Sequence, residues 1–249
     1  MQKILVTGGC GFIGSNLVDH LRRRGFSVTI LDLLTDPQGL DCVMGDIRDP
    51  SVCRQAMKDV DAVVHLAAES GILPSIDDPE TNFAINAGGT LNLLRAAADY
   101  GVSRFVFASS GAVLGHHQPP ADEQTVPKPV SPYGASKLAA EAYCLACGET
   151  YGLSSVALRF SNIYGPHSAH KRSVVAEFCK SALRGDPLTI YGDGRQTRDF
   201  LFVDDLLTII ERSLERTDVT GVFQLGRGIG IPIVDVADAV REACGSRAA

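Results

Sequence analysis

Short apolar runs alternate with segments of helical periodicity through the first part of the chain. The runs are apolar at consecutive positions, which is typical of parallel strands buried on both faces, and the periodic segments predict the helices that connect such strands. The pattern therefore predicts an α/β fold with a doubly wound parallel sheet covered by helices on both faces. The predicted strands are residues 3–7, 27–31, 41–44, 62–66, 104–108 and 155–160, and the predicted helices are residues 12–24, 51–58, 81–100 and 133–151.

The alternation becomes less regular after residue 160. We therefore divide the chain into a domain at 1–160 and a small, abbreviated region at 161–249, whose elements interleave and share a cleft. In open α/β sheets such a cleft lies beyond the carboxyl ends of the strands. The region is predicted to contain a loop at 162–170, a helix at 172–184, a glycine-rich stretch at 191–194, a strand at 200–203, a helix at 204–215, a strand at 222–225 and a helix at 233–244.

Composition narrows the class of protein. The 249 residues carry a net charge of −6 and are 45% hydrophobic, so we expect a soluble protein that binds neither nucleic acid nor a membrane. Seven scattered cysteines, with Met1 leading almost directly into a strand, favour a reducing cytoplasm and no signal peptide. Cys144 and Cys147 lie inside a helical pattern, so we expect them to pack in a helix rather than bind a metal. His116 and His117 lie near a proline-rich turn, so we expect them on the surface, also without a metal.

A glycine-rich turn follows the first predicted strand. Gly8, Gly11 and Gly14 lead into a helix, and Asp32 ends the next strand 18 residues after Gly14. Glycines let the backbone approach a diphosphate, the helix start offers free amides, and the acid accepts hydrogen bonds from a ribose. The order predicts a Rossmann dinucleotide site. The carboxylate of Asp32, with no cation in residues 33–37, favours NAD over NADP.

A second candidate aspartate follows the third predicted strand. Asp46 is placed to bond the adenine amino group, and the alternative is an aspartate that caps a helix or turn.

Tyr133 and Lys137 have the chemistry of a proton-transfer pair. Their spacing of four residues puts both side chains on one face of a helix. A lysine ammonium and a positive nicotinamide ring would favour the phenolate and lower the pKa of Tyr133 from its usual value near 10. Ser110, just past the fifth predicted strand, could bond the same substrate oxygen.

The chain resembles the extended short-chain dehydrogenase/reductase family, in its nucleotide-sugar epimerase and dehydratase branch. The matching stretches are TGGCGFIG, GDIRD, HLAAES, NAGGT, SSGAVLG, YGASK, RFSNIYGP and GDGRQTRDFLFVDD, in family order between residues 5 and 205. The resemblance implies catalysis by Ser110, Tyr133 and Lys137. It implies sugar-nucleotide contacts from Asn162, Tyr191 and Arg198, unless Arg198 only pairs with Asp199 or Asp204. The NAD site it implies is Gly8, Gly11, Phe12, Ile13, Asp32, Asp46, Ile47, Leu66, Ala67, Ala68, Asn86, Tyr133, Lys137, Phe160 and Ile163.

The function implied is NAD-dependent inversion of a nucleotide-linked sugar, by oxidation to a 4-ketosugar and return of the hydride to its other face. Dehydratases of the family carry an Asp-Glu pair where this chain has Gly111 and Ala112, so a 4-epimerase is favoured. Gly111, Ala112 and Asn162 also offer little to a sugar carboxylate, which favours UDP-glucose/UDP-galactose. UDP-glucuronate and UDP-N-acetylhexosamine remain alternative substrates, the second because Leu114 replaces a usual tyrosine.

Two rival functions stay open, as do the contacts of the C-terminal part. A 4-ketosugar reductase would share the residues but prefer NADPH, and a non-catalytic NAD-binding protein would typically lose Tyr133 or Lys137. The resemblance also implies a homodimer formed by the helices at 81–100 and 133–151. The chain stops soon after its last predicted helix, so we expect either an abbreviated substrate part or further nucleotide contacts from a partner chain or from the loop at 168–173.

Overall fold

The computed structural model describes residues 2–35 and 41–245. Its main sheet has seven strands, all parallel, in the order β3-β2-β1-β4-β5-β6-β9. This order confirms the predicted doubly wound sheet. The described strands are β1 Lys3–Thr7, β2 Ser27–Asp32, β3 Cys42–Met44, β4 Ala62–His65, β5 Arg104–Ser110, β6 Ser154–Phe160, β7 Asn162–Tyr164, β8 Thr197–Phe202, β9 Gly221–Leu225 and β10 Gly230–Pro232.

Helices cover both faces of the main sheet. Alternate residues of β1 show why: Ile4 and Val6 pack with α1 and α8, whereas Leu5 between them packs with α2, α5 and α6. Each strand is therefore apolar at consecutive positions. The described helices are α1 Phe12–Arg23, α2 Pro50–Ala56, α3 Ile72–Asp77, α4 Pro79–Phe83, α5 Thr90–Asp99, α6 Pro132–Tyr151, α7 Val174–Arg184, α8 Val203–Glu215 and α9 Ile233–Cys244.

The helix predicted at 81–100 is divided into three parts. The short α4 passes into a π-helical segment at Ala84–Gly89, and α5 then begins at Thr90. The π turn brings Asn86 into the interior, where its side chain bonds the backbone of Glu69. Such turns occur most often at functional sites. Periodicity alone predicted one helix because a single widened turn barely disturbs an apolar stripe.

A smaller sheet follows in the C-terminal part of the chain. Its order is β10-β8-β7, with β7 parallel and β10 antiparallel to β8, and it packs with α7 and α9 through Phe178, Phe200 and Ala237. The predicted loop at 162–170 thus begins with a strand, and the short β10 and α3 were not predicted. The predicted strand at 200–203 begins earlier, at Thr197, and Val203 opens α8. Because β9 returns to the main sheet, the two parts of the chain interleave.

Arg104 holds the connection between α8 and β9. Its buried guanidinium donates to Ser213 O and Val219 O, at 2.7 Å each, and to Ser154 Oγ at 2.8 Å. Ser154 Oγ donates in turn to Thr217 O at 2.6 Å. Burial lowers the pKa of Arg104 to about 10. These bonds pair the part-buried carbonyl groups of Ser213 and Val219 and join the turn to β5 and β6.

None of the helices described within residues 2–35 and 41–245 combines the length and the apolar character needed to cross a bilayer.

We expect Arg104→Met to lower the free energy of unfolding by about 1–3 kcal/mol, because it leaves three part-buried acceptors without their charged donor. Urea unfolding followed by circular dichroism would measure the loss. Arg216→Met is the matched control, since Arg216 lies on the same connection but pairs with Asp218 in solvent. Equal transition midpoints for the two variants would contradict this assignment.

Candidate active site

The glycine-rich turn between β1 and α1 is packed backbone against backbone. Gly8 has a φ of +71°, and a Cβ added there would lie 2.7 Å from Ala67 N on the segment that follows β4. A Cβ added at Gly14 would run into Gly8 O. Positions 8 and 14 must therefore be glycine for the end of β1, the turn and the start of α1 to pack this closely. Phe12 is buried beneath the turn, and Ile13 is half-buried beside it.

Asp32 joins this turn to the end of β2. Its Oδ2 accepts from Cys10 N at 3.0 Å and its Oδ1 accepts from Leu34 N at 3.1 Å. The amide of Cys10 that bonds Asp32 lies one residue before Gly11, the N-cap of α1, and among the described residues no side chain caps this helix start. Amides for a diphosphate and a carboxylate for a ribose are the groups that a dinucleotide requires. Of the predicted cation-free stretch, residues 33–35 are described, and residues 36 and 37 lie outside the described residues.

Asp46 is engaged by its own turn. Its Oδ2 accepts from Arg48 Nη2 at 2.6 Å, and its Oδ1 accepts from Arg48 N at 2.8 Å. The hydrogen bond from the Arg48 side chain lowers the pKa of Asp46. These contacts match the alternative interpretation of Asp46 as an aspartate that stabilises a turn. The residue that caps α2 is Asp49. Ile47, predicted beside Asp46 at the adenine end, is buried against Gly89 of the π-helical segment.

His65 lies fully buried at the end of β4 in a hydrogen-bond chain with a defined direction. Thr90 donates its one hydroxyl proton to Asn86 O, so Thr90 Oγ1 accepts from His65 Nε2 at 2.9 Å. His65 Nδ1 then accepts from Thr7 Oγ1 at 2.7 Å, and Thr7 Oγ1 accepts from Ala67 N at 3.2 Å. Burial lowers the pKa of His65 to about 3, which keeps the imidazole neutral.

Asn86 fixes the segment that follows β4. Its Oδ1 accepts from Glu69 N at 2.9 Å, and its Nδ2 donates to Glu69 O and to Ser136 Oγ, at 3.0 Å each. The predicted cofactor residues Leu66, Ala67 and Ala68 lie on this segment, half-buried between the glycine turn and α6. Asn86 thus holds the wall of the site through both ends of its amide.

Local sequence explains how α6 presents Tyr133. The side chain of Ser131 caps the helix by accepting from Gly134 N, and Pro132 occupies the first turn. A Cβ on Gly134 would lie 2.5 Å from Ala112 O, so glycine lets α6 approach the 3₁₀ turn Gly111–Leu114 that follows Ser110. The Ser110 side chain acts on the Tyr133 hydroxyl and favours its ionised form, and Ser110 Oγ also accepts from Ala112 N at 3.1 Å.

The protein's own groups raise the pKa of Tyr133, because burial outweighs the interaction with Ser110. The lowered pKa expected from sequence included the positive charge of a nicotinamide ring, which is not one of the protein's own groups. Lys137 is 3% exposed, and its Nζ donates to Ala108 O at 2.9 Å and lies 4.9 Å from the Phe107 ring centroid. Burial lowers the pKa of Lys137 to about 8. A low pKa for Tyr133 therefore requires further positive charge at the site.

The predicted substrate residues lie along the small sheet. Phe160 pairs with Ser110 in the ladder between β6 and β5, and Asn162 follows two residues later on β7, beside β8, which carries Arg198. Asn162 Nδ2 donates to Asp199 O at 3.0 Å. The next residue of β7, Ile163, packs half-buried against the core beneath the main sheet.

Arg198 and Tyr191 are open to solvent. Asp199 binds the amides of Arg227 and Gly228, and within the described part of the chain Arg198 forms no ion pair, so the ion-pair alternative does not describe it. Tyr191 is 84% exposed on the loop before β8 and contributes no packed wall to the cleft.

Sequence reasoning quoted the motif of His65 without giving it a role, and it did not consider Glu141 or Arg159. Glu141 of α6 accepts two hydrogen bonds from Arg159 and one from Ser109, and all three bonds are buried between α6 and the main sheet. A signal was available for Glu141, since it lies four residues after Lys137 and eight after Tyr133, on the same helix face. None was available for Arg159, because its partner is distant in sequence.

We expect the protein to lose stability as the pH falls from 6.5 towards 3, in part through His65. The unfolded chain binds a proton at this histidine in that range and the folded chain does not, so acid favours unfolding. His65→Gln should flatten this dependence, measured by urea unfolding at several pH values, whereas His170→Gln, at an exposed histidine, should not. The same slope in all three proteins would show that His65 is protonated in the fold.

We expect Gly14→Ala to lower the free energy of unfolding by about 1–3 kcal/mol and to abolish dinucleotide binding, because the methyl group forces α1 away from the turn. Gly88→Ala is the matched control, since a Cβ there meets nothing within 4 Å. Nucleotide released on denaturing each purified variant would measure binding. Retention of bound nucleotide by Gly14→Ala would refute the close contact.

Comparison with known proteins supports this geometry. The chain matches the NAD dependent epimerase/dehydratase family over residues 4–226. It is 38% identical to UDP-glucose 4-epimerase of Thermus thermophilus, solved with NAD, with a TM-score of 0.92 over 98% of this chain and 84% of that one. UDP-N-acetylglucosamine 4-epimerase of Methanobrevibacter ruminantium M1, in complex with UDP-N-acetylmuramic acid, gives 32% identity and a TM-score of 0.93 over 99% and 83%.

A relative with another reaction is equally similar. The dTDP-glucose 4,6-dehydratase of Xanthomonas campestris pv. campestris (strain B100) is 35% identical over 265 residues, which are 96% of this chain and 75% of that protein. Overall similarity therefore establishes the family and leaves the reaction to individual residues. The chain belongs to the NAD-dependent epimerase/dehydratase family, and its cofactor is NAD.

Proposed function

We propose that the protein is a 4-epimerase that interconverts UDP-glucose and UDP-galactose. The observation that carries this proposal is the set Ser110, Tyr133 and Lys137 beside a turn that supplies no further proton-transfer group. The next residues, Gly111 and Ala112, form the 3₁₀ turn and have no titratable side chain. Tyr133 is then the group placed to move a proton at the sugar, which suffices for epimerisation.

Each of the three residues has a separate task. Tyr133 removes the proton from the sugar hydroxyl, and Ser110, which acts on the same phenol, binds the same substrate oxygen. NAD, held by the glycine turn and Asp32, would supply the hydride acceptor and donor for the attached carbon. Lys137 keeps a positive charge below the site and holds α6 on β5 through Ala108 O.

We assign the remaining predicted residues by their location. Residues 1–160 hold the cofactor, and residues 161–249, of which 246–249 lie outside the described residues, hold the nucleotide sugar. Arg198 offers an exposed guanidinium to the diphosphate, with Asn162 and Tyr191 nearby on the same sheet and its preceding loop. The cofactor residues are Gly8, Gly11, Phe12, Ile13, Asp32, Asp46, Ile47, Leu66, Ala67, Ala68, Asn86, Tyr133, Lys137, Phe160 and Ile163.

We also propose that the enzyme is a homodimer. Tyr143 and Tyr151 of α6 and Tyr100 after α5 are between 45% and 57% exposed, and a second copy would cover this aromatic surface.

The reaction is tested by incubating the purified protein with UDP- and dTDP-linked sugars, without added cofactor, and identifying the products. We expect inversion at C4 of UDP-glucose or UDP-galactose and no net consumption of nicotinamide. A 4-keto-6-deoxy product would instead indicate a dehydratase, and stoichiometric oxidation of NAD(P)H a reductase. Turnover of UDP-glucuronate or a UDP-N-acetylhexosamine alone would show that this sugar nucleotide, rather than UDP-glucose or UDP-galactose, is the substrate.

We expect Tyr133→Phe to lower kcat by about 10²–10⁴-fold while NAD stays bound, because the variant loses the proton acceptor but keeps the ring. Tyr143→Phe is the matched control, since Tyr143 lies on the same helix and is 45% exposed. The measurement is kcat for the preferred sugar nucleotide, with bound NAD assayed after denaturation. Full activity of Tyr133→Phe would exclude Tyr133 as the base.

A further inference from the structure

A buried ion pair connects the catalytic helix to two strands of the main sheet. Arg159 donates through Nε to Glu141 Oε2 at 2.9 Å and through Nη2 to Glu141 Oε1 at 2.6 Å. Ser109 Oγ donates to the same Oε2 at 2.8 Å. The side chains of Arg159 and Glu141 are each 4% exposed. We call Ser109, Glu141 and Arg159 the clamp.

The clamp is assembled by the register of the sheet. Ser109 and Arg159 are direct partners in the parallel ladder between β5 and β6. Both side chains reach the same carboxylate of Glu141 on α6. The carboxylate thus contacts two neighbouring strands at once, and the helix can neither slide nor rotate without breaking charge-assisted bonds.

The end of β5 contacts α6 at three consecutive residues. Ala108 O accepts from Lys137 Nζ, Ser109 Oγ donates to Glu141, and Ser110 acts on the Tyr133 hydroxyl. The three helix residues lie at intervals of four on one face. At the clamp, the helix side chain is also bound from a second strand, because Glu141 accepts two hydrogen bonds from Arg159 of β6.

We propose that Ser109, Glu141 and Arg159 are positioning residues, which set the register of α6 against β5 so that Tyr133 and Lys137 meet Ser110 in a reactive arrangement. This inference rests on the proposed function. Stability alone does not account for the clamp, because replacing a buried ion pair with apolar residues is often neutral or stabilising. A reacting constellation, by contrast, tolerates only about 0.5 Å of error.

The test compares Ser109→Ala and the double variant Glu141→Leu/Arg159→Met with wild type. The double variant removes both charges together, so no unpaired charge stays buried. Ser155→Ala is the matched control, because Ser155 is buried on β6 and donates to Cys144 O on α6 at 2.7 Å, farther along the same helix. If the double variant fails to fold, Ser109→Ala still tests the proposal through one hydrogen bond.

We expect kcat to fall about 10-fold in Ser109→Ala and about 100-fold in the double variant, with KM and bound NAD near wild type. The acidic limb of the kcat–pH profile, on which Tyr133 must lose its proton to act as the base, should also move. A second measurement needs no turnover: the absorbance change on tyrosinate formation, taken as the difference from Tyr133→Phe, should shift in pH for the clamp variants but not for Ser155→Ala.

The outcomes separate this inference from the proposed function. Clamp variants that match Ser155→Ala in kcat, pH profile and the titration of Tyr133, whatever their stability, would overturn the positioning role. A wild-type protein that turns over no nucleotide sugar would overturn the proposed function, and the titration of Tyr133 would still support or overturn the clamp.

Discussion

The register between β5 and α6 is the constraint on which the site depends. Ser110 lies at the end of the strand, and Tyr133 lies in the first turn of the helix, so their contact exists only if the two elements meet at one relative height. Gly134 permits the close approach, and Lys137 fixes it through a strand carbonyl. Backbone and side-chain contacts therefore act together, and neither would position the phenol alone.

Burial controls the charges around this contact. It raises the pKa of Tyr133, lowers that of Lys137 to about 8 and lowers that of His65 to about 3. Each shift disfavours the charged form of its group, as desolvation requires. Tyr133 and His65 are therefore uncharged at neutral pH, and Lys137, with a pKa of about 8, carries the positive charge of the region. A positive charge brought into the region acts through a low dielectric and is felt strongly by the phenol.

The irregular parts of the fold lie on the cofactor side of the same site. The left-handed Gly8, the contact of Gly14 with Gly8 O and the π-helical segment at Ala84–Gly89 all surround the segment that follows β4. His65 and Asn86 attach this segment to the strands and to α6 through directed hydrogen bonds. Conformations that cost free energy are retained where they bring backbone amides to a ligand.

Local pattern in the sequence determined the six strands up to residue 160, the glycine turn with Asp32, and the pair Tyr133 and Lys137, because strand patterning, turn geometry and helical spacing act over a few residues. Tertiary structure alone decided that Glu141 meets Arg159 and Ser109, and that Arg104 bonds the turn before β9. It also decided the direction of the pKa of Tyr133, since desolvation is a property of the packed chain. These contacts join residues far apart in sequence, so no local pattern encodes them, and they form only once the sheet order brings their strands together.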